Sequence, residues 1–337
     1  MSQYAKTADP KITDPKIAVI DMGSNSIRFE LYQLGSERPA EVLARKRSMP
    51  RLAKGLINSR KLNPSGKEQA IKFLKKVQDI AAEHGADRII AVGTWALREA
   101  EDAKDFVSKV HEELGLDIEI ISGEEEARLT ILGILSNEKI EADEFGFIDI
   151  GGGSAEITHC NQLSEIDNNN APEDDSLMFC RNSHFRLNQP KSFELGATRL
   201  SDAFVQSLPC KNVTKLRAHV RQELVEGIDI DLWNSTKLLV GSSATVRSIA
   251  KLNLGETPSI LSTERLLSLV ELMTPLNRAE MLEIPGMEER RVDIIFAGAV
   301  VLEEVCNMLG IEKIAVSLFS LRHGVLERDY LSSVVGR

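Results

Sequence analysis

Lys16–Gln33 reads KIAVIDMGSNSIRFELYQ and Phe145–Cys160 reads FGFIDIGGGSAEITHC. Each stretch opens on a short apolar, β-branched run that ends in an aspartate, Asp21 or Asp149. Each then passes through a turn of small residues into a second extended run, Ile27–Gln33 or about Ser154–Thr158. Strand, tight turn, strand therefore occurs twice, and the repetition points to an internal duplication, although two short matches can also arise independently.

The rest of the chain alternates in the same manner. Lys67–His84 carries Ile71, Leu74, Val77, Ile80 and Ala81 at helical spacing, with Gly85 placed to stop the helix. Arg88–Val92 and Ile118–Ile121 read as strands, a helix starts near Glu124, and Lys237–Val240 is a further strand before GSSATVRS. The alternation predicts an α/β fold. Asn161–Lys191, with NNNAPEDD near its middle, reads as an exposed, turn-rich excursion between strands.

With 337 residues, 42% hydrophobic and 27% charged, the chain can build two lobes, each with its own core. Its formal net charge of -10 argues against broad nucleic-acid binding. A local basic groove is still open to Arg45, Lys46, Arg47, Arg51 and Lys54, as is a merely solvated charged face. Apolar runs such as Ile294–Leu302 fall short of the roughly 20 residues that span a bilayer, and MSQYAKTADPKITDP has no apolar signal core, so no membrane partner and a cytoplasmic location are expected. Cys160, Cys180, Cys210 and Cys306 lack CxxC spacing, and His84, His111, His159, His184, His219 and His323 lack metal-ligand spacing.

DMGSNS (Asp21–Ser26) and DIGGGSAE (Asp149–Glu156) carry the strongest chemical signal. Small residues let backbone N–H groups converge on an anion, hydroxyls add donors, and a carboxylate at a strand end can hold a metal ion. Either turn alone could be a plain hairpin; two with matching aspartates are harder to dismiss. Neither is a Walker loop nor a GxGxxG fingerprint. In ISGEEEARL (Ile121–Leu129 after Ile120), Ser122 can cap a helix with Glu125 closing the box, yet three glutamates exceed what a cap needs, and one could serve as a general base. Arg98 in GTWALREA offers a donor fork for phosphate, or is a surface residue. Gly241, Ser242 and Ser243 form either a further backbone nest or only a helix cap.

Taken in order, AVIDMGSNSIRF, RLAKGL, VGTWALREA, IISGEEEARL, FIDIGGGSAEI, ELGATRL, VGSSATVRSIAKL, FAGAVVLEEV and SLFSLRHGVLERDYL resemble the exopolyphosphatase / guanosine pentaphosphate phosphatase family, in its short form without a C-terminal helical HD-type domain. The resemblance covers nearly the whole chain from about Lys16. It implies the duplicated ribonuclease-H-like fold shared with actin, sugar kinases and Hsp70-type ATPases, with an active-site cleft between lobes of residues 1–125 and 126–317. A C-terminal segment, about 318–337, would pack back on the first lobe, and residues 161–191 would form an insertion.

By motif position, the resemblance assigns Glu126 as the water-activating base and Arg98 as the substrate clamp. Gly23, Ser24, Asn25 and Ser26 form the first phosphate loop; Gly151, Gly152, Gly153 and Ser154 form the second. Asp21, Asp149 and Glu156 would hold Mg²⁺ or another divalent cation. Three positions depart from the family pattern: Ala244 stands where glycine is usual, and Leu318 and His323 stand where acids are usual. The implied reaction is hydrolysis of the terminal phosphoanhydride of polyphosphate, or alternatively of guanosine pentaphosphate, and the family allows a homodimer. A phosphotransferase and a non-catalytic alarmone sensor are competing classes. The Glu126 position and DMGSNS in place of a kinase loop favour hydrolysis over the first, and a full catalytic set disfavours the second.

Overall fold

The computed structural model describes residues 14–35, 39–163, 177–180 and 183–335. A first sheet contains β1 (Lys16–Met22), β2 (Ile27–Gln33), β3 (Glu41–Ser48), β4 (Arg88–Gly93) and β5 (Ile118–Ile120), in the order β3-β2-β1-β4-β5. A second contains β6 (Glu144–Ile150), β7 (Ala155–Leu163), β8 (Leu177–Cys180), β9 (Ser183–Phe193), β10 (Leu238–Gly241), β11 (Ile260–Ser262) and β12 (Lys313–Val316). Its order is β11-β12-β10-β6-β7-β9-β8.

The inner five strands of the second sheet repeat the first. β3-β2-β1 is antiparallel throughout and continues through parallel β4 and β5. Likewise β9-β7-β6 is antiparallel and continues through parallel β10 and β12. The duplication suggested by two hairpins therefore extends to order and sense of five strands in each half. This is the two-lobed, ribonuclease-H-like α/β architecture.

Alternation along β1 explains how the halves are joined. Ala18 and Ile20 point into a core shared with Phe29, Leu74, Val77 and Phe106, where the Pro64–Glu83 helix covers one face of the sheet. Ile17 and Val19, on the opposite face, enter a second core with Ala127, Leu129, Phe145, Phe147, Leu321 and Val325. That core contains residues of both sheets, of the Gly123–Leu135 helix that follows β5, and of the C-terminal Leu321–Val335 helix. A third core surrounds the Val292–Leu309 helix, which is buried almost all round. Its two buried acids are answered by arginines: Arg217 reaches Glu303 at 2.7 Å, and Arg221 pairs with Glu304.

Among the described residues, no helix is long and apolar enough to cross a membrane. The exposed excursion expected over Asn161–Lys191 needs correction. Residues 164–176 and 181–182 lie outside the described residues, but the flanking parts are sheet: β7 runs on to Leu163, and β9 pairs with it from His184↔Leu163 to Phe193↔Ala155. Phe185 and Leu187 are buried in the joining core. The Asn/Pro-rich centre hid an apolar alternation at its C-terminal end.

The C-terminal helix docks through glycine. Gly133 and Gly324 face one another, so that a Cβ on Gly133 would meet the Gly324 nitrogen at 2.5 Å and a Cβ on Gly324 would stand 1.6 Å from the Leu129 carbonyl oxygen. Backbone cannot yield as a flexible side chain can. Gly324→Ala should therefore cost at least ~1–3 kcal/mol, the range for overpacking, read as a lower urea midpoint. An unchanged midpoint would show that the helix crossing tolerates separation.

Candidate active site

Both hairpin turns close in the same way: the Gly23 N–H donates to the Ser26 carbonyl (3.1 Å), and the Gly151 N–H donates to the Ser154 carbonyl (2.9 Å). The matching registers place Asp21 opposite Arg28 and Asp149 opposite Glu156. Equivalent positions of the two hairpins thus carry an arginine in one lobe and a glutamate in the other. The turns then meet across the gap. A Cβ on Gly152 would touch the Ser24 Cβ at 3.0 Å, a Cβ on Gly153 would lie 1.8 Å from the Trp95 ring, and Asn25 Nδ2 donates to Thr198 Oγ1 at 3.0 Å.

One cleft is lined by Asp21, Gly23–Ser26, Glu126, Asp149, Gly151–Ser154, Ser242 and Ser243. Three expected residues do not line it. Gly241 ends β10, where its carbonyl accepts from the Ser317 N–H (2.9 Å). Glu156 is 1% exposed and accepts from Ser192 Oγ at 2.8 Å. Arg98, expected as a phosphate clamp, turns its guanidinium to Glu126 (2.8 Å) and the Ile121 carbonyl (3.0 Å). A buried carboxylate within reach outcompetes an open cleft for that fork.

Ser122 caps the Gly123–Leu135 helix, accepting from the Glu125 N–H at 3.1 Å. The expected closure of the box by Glu125 is not made. Its carboxylate binds Arg128 (2.6 Å) and Arg328 (3.3 Å) instead, because two cations outweigh one backbone N–H. One residue further on, Glu126 faces the cleft.

Burial pushes the Glu126 carboxyl up to about 7; Arg98 opposes this, while Asp149 and Asp21 add to it. Asp149 is also raised by burial, against a hydrogen bond from Ser242 Oγ (2.8 Å). Burial, then Glu126 and Asp149, raise Glu156 well above the usual carboxylate range. Among the described residues, no group of three or more His, Cys, Asp or Glu is gathered closely enough to form a ready-made metal cage. Asp21 is paired instead with Arg322 (3.3 Å), and Glu156 sits behind the cleft wall. The raised carboxyls of Glu126, Asp149 and Glu156 nevertheless mark an excess of buried acid that a divalent cation beside Asp149 would relieve, so the residues fit such an ion.

Apart from Arg47, which belongs to the basic cluster noted in the sequence, positive charge comes from residues with no sequence signal of their own. Arg28, Arg290 and Arg291 line the cleft, together with Arg47. Arg28 was legible from its place opposite Asp21 in a hairpin; Arg290 and Arg291 sit in the polar MEERR stretch, which gives no periodic signal. Arg322, buried in the C-terminal helix, links Asp21 to Glu30 (3.2 Å), and Tyr32 donates to the same Glu30. Of the departures noted in the sequence, Ala244 lines the cleft and Leu318 is exposed. The His323 ring is held neutral, down to about 4, by burial and Arg322.

Paired glycine turns, opposed across a cleft and bordered by arginines and acids, define a two-lobed phosphate-handling hydrolase. Residues 33–333 match the Ppx/GppA phosphatase family, and the chain belongs to it. It is 28% identical over 332 residues to Exopolyphosphatase 1 of Mycobacterium tuberculosis, covering 95% of this chain and 90% of that protein. An exopolyphosphatase from Cytophaga hutchinsonii superposes with a TM-score of 0.78 at 26% identity, over 93% of this chain and 97% of its own. A nucleoside triphosphate hydrolase from Neospora caninum shares the fold alone, with a TM-score of 0.57 at 12% identity, over 95% of this chain and 93% of its own. The chain is a phosphoanhydride hydrolase.

The raised Glu156 carboxyl has a consequence for stability. Its folded pKa exceeds its unfolded one, so the stability it confers is present below about pH 4.3, the unfolded carboxyl value, and is lost as pH rises through the folded value. Glu156→Gln keeps an acceptor for Ser192 and removes that loss. In the presence of chelator, its Tm should match wild type near pH 4 and exceed it at pH 8; a gap that does not vary with pH would refute the assignment.

Proposed function

We propose that this hydrolase is an exopolyphosphatase, releasing orthophosphate from the end of an inorganic polyphosphate chain, with Glu126 as its general base. The observation that carries the reading is the Glu126 carboxyl itself: it faces the cleft shared by both glycine turns, is held by Arg98, and is pushed up by burial to about 7. Phosphoryl transfer needs little covalent help from the protein. It needs positioning, charge neutralisation and a place for a proton.

This chain's residues divide those tasks. The Gly23 and Gly151 N–H groups are spent inside their turns, so those of Ser24, Asn25, Gly152 and Gly153 are assigned to the terminal phosphate, with Ser26, Ser154 and Ser243 beside them. Arg28 and Arg47 offset the charge of the next phosphates. Arg98 acts as a positioning residue, holding Glu126 while leaving its second oxygen for water. As that water attacks the terminal phosphorus, the bridging P–O bond breaks and the proton passes to Glu126. Asp149 and Asp21, backed by Glu156, would hold Mg²⁺, which when bound supplies charge neutralisation on the phosphoryl oxygens.

The nucleotide alternative uses the same loops. Against it stands Trp95, the aromatic residue in the cleft lining: its ring packs under Gly153, with the Arg199 guanidinium 5.4 Å from its centroid, leaving no open face on which a guanine could stack. Similarity to exopolyphosphatases supports the same choice.

Phosphate release should therefore be faster from long polyphosphate than from guanosine pentaphosphate, with Mg²⁺ present; the reverse order would select the nucleotide. Glu126→Gln should lower kcat by roughly 10²–10⁴-fold while substrate binding survives. The rising limb of kcat/KM in wild type should titrate at or below about 7, since a bound cation favours the carboxylate, and should vanish in the variant. Glu125→Gln, which disturbs only contacts with Arg128 and Arg328, should keep near-normal turnover. If Glu125→Gln abolishes turnover and Glu126→Gln does not, the base is the neighbouring residue.

A further inference from the structure

The cleft continues into a second cavity of about 460 Å³. Arg28, Arg47, Arg290 and Arg291 border both spaces, while Lys46, Arg247 and Lys251 border only the second. These cations are short of counter-charge. Burial lowers Arg28, and it lowers Arg47, Arg247 and Arg291 to about 10; in every one of them a neighbouring arginine is the next cause. Arg291 is 8% exposed and its Nε has no hydrogen-bond partner. A buried guanidinium N–H left without a hydrogen bond is costly unless an anion is to arrive.

Two anions already border the cavity: Glu30, engaged by Arg322, Arg45 and Tyr32, and Glu288. Glu288 lies in the turn between the Arg278–Leu282 and Val292–Leu309 helices, and its backbone carbonyl accepts from the Arg291 N–H at 2.8 Å. Its carboxylate pairs with Lys251, takes a 2.6 Å hydrogen bond from Arg290 Nε, and stops 3.8 Å short of Arg291 Nε. Although burial opposes it, these hydrogen bonds and charges hold the carboxyl down at about 2. It is therefore ionised at neutral pH. Glu288 cannot satisfy all the cations that Glu30 leaves, whereas a phosphate chain brings a negative charge with each residue.

We propose that the second cavity binds the distal phosphates of a polyphosphate chain, and that Glu288 is an internal anion which keeps its cations placed and yields them to the chain. The inference rests on the exopolyphosphatase reading for the substrate. It adds a length sensor: a short oligophosphate confined to the cleft never competes with Glu288, and a long chain always does. The cost of displacing Glu288 falls only on long substrates, and so does the gain from the cations beyond it.

The test compares long-chain polyphosphate with tripolyphosphate. Glu288→Gln keeps shape and removes the competing charge, so KM for the long chain should fall about two- to five-fold, the scale of a partly exposed ion pair, with tripolyphosphate KM unchanged. Lys46→Ala, on the exposed edge strand, should raise KM for the long chain alone and flatten its dependence on salt. Equal shifts for both lengths, or no shift for either, would overturn the proposal. Equilibrium binding of long polyphosphate to the same variants separates the two readings. If wild type does not hydrolyse polyphosphate, the functional reading falls, and tighter binding by Glu288→Gln with weaker binding by Lys46→Ala still decides the site.

Discussion

Two turns have to meet face to face with no room for a side chain on the glycines of the second, and most of the molecule serves that constraint. Gly152 lies on Ser24 and Gly153 on the Trp95 ring, and Gly196 packs on the backbone of both glycines: its own Cβ would fall 2.3 Å from the Gly153 carbonyl carbon. Such approach requires each turn to be held from behind. The registers of β1 with β2 and of β6 with β7 do this in the same way in both halves, down to the hydrogen bond that closes each turn. The joining core then sets the distance between the turns, because it contains Ile17 and Val19 from β1 and Phe145 and Phe147 from β6. Close packing there leaves little freedom for either hairpin to slide.

Charge is divided across the gap by the same registers. The position opposite the strand-end aspartate is Arg28 in the first lobe and Glu156 in the second. Arg45 and Arg47 lie opposite Glu30 and Arg28, so the cleft-facing side of the first sheet is mainly cationic. The acidic side holds Asp149, which raises Glu126, and both of these raise Glu156. A polyanion entering between them would lie along the arginines, with Glu288 set among them, and meet the clustered acids of the second lobe at its end. That asymmetry suits attack at a terminus better than cutting within a chain.

Legibility followed the range of the interaction. Strands such as Ile27–Gln33 and the Pro64–Glu83 helix were visible because period and stop signals are local. The paired loops were visible because duplication repeats a local signal. Arg98 reads as a clamp in the sequence, and its pairing with Glu126 is not legible there because the two lie 28 positions apart. Arg322 was passed over for a longer-range reason still: its partners Asp21 and Glu30 are about 300 residues distant, and nothing in LRHG indicates a buried cation. Arg290 and Arg291 sat in a charged run that resembles any solvated turn. In each case spacing and turn chemistry located backbone, while the partner of a long charged side chain depended on tertiary contact.

Arg322 also shows why the C-terminal helix belongs to the site rather than to its scaffold. Removing two charges from water costs several kcal/mol per ion even after relaxation, and here one buried guanidinium serves two carboxylates, Asp21 and Glu30. Those acids raise it, against burial, so the cation persists at any pH the fold survives. Glu30 is further engaged by Tyr32 and by Arg45 at 3.2 Å. Asp21 is left with one oxygen tied and its side chain on the cleft wall. A carboxylate so restrained cannot swing toward the nearby arginines when substrate is absent. The last helix thereby keeps the first loop's acid facing the acid of the second, which is the arrangement a shared cation would require.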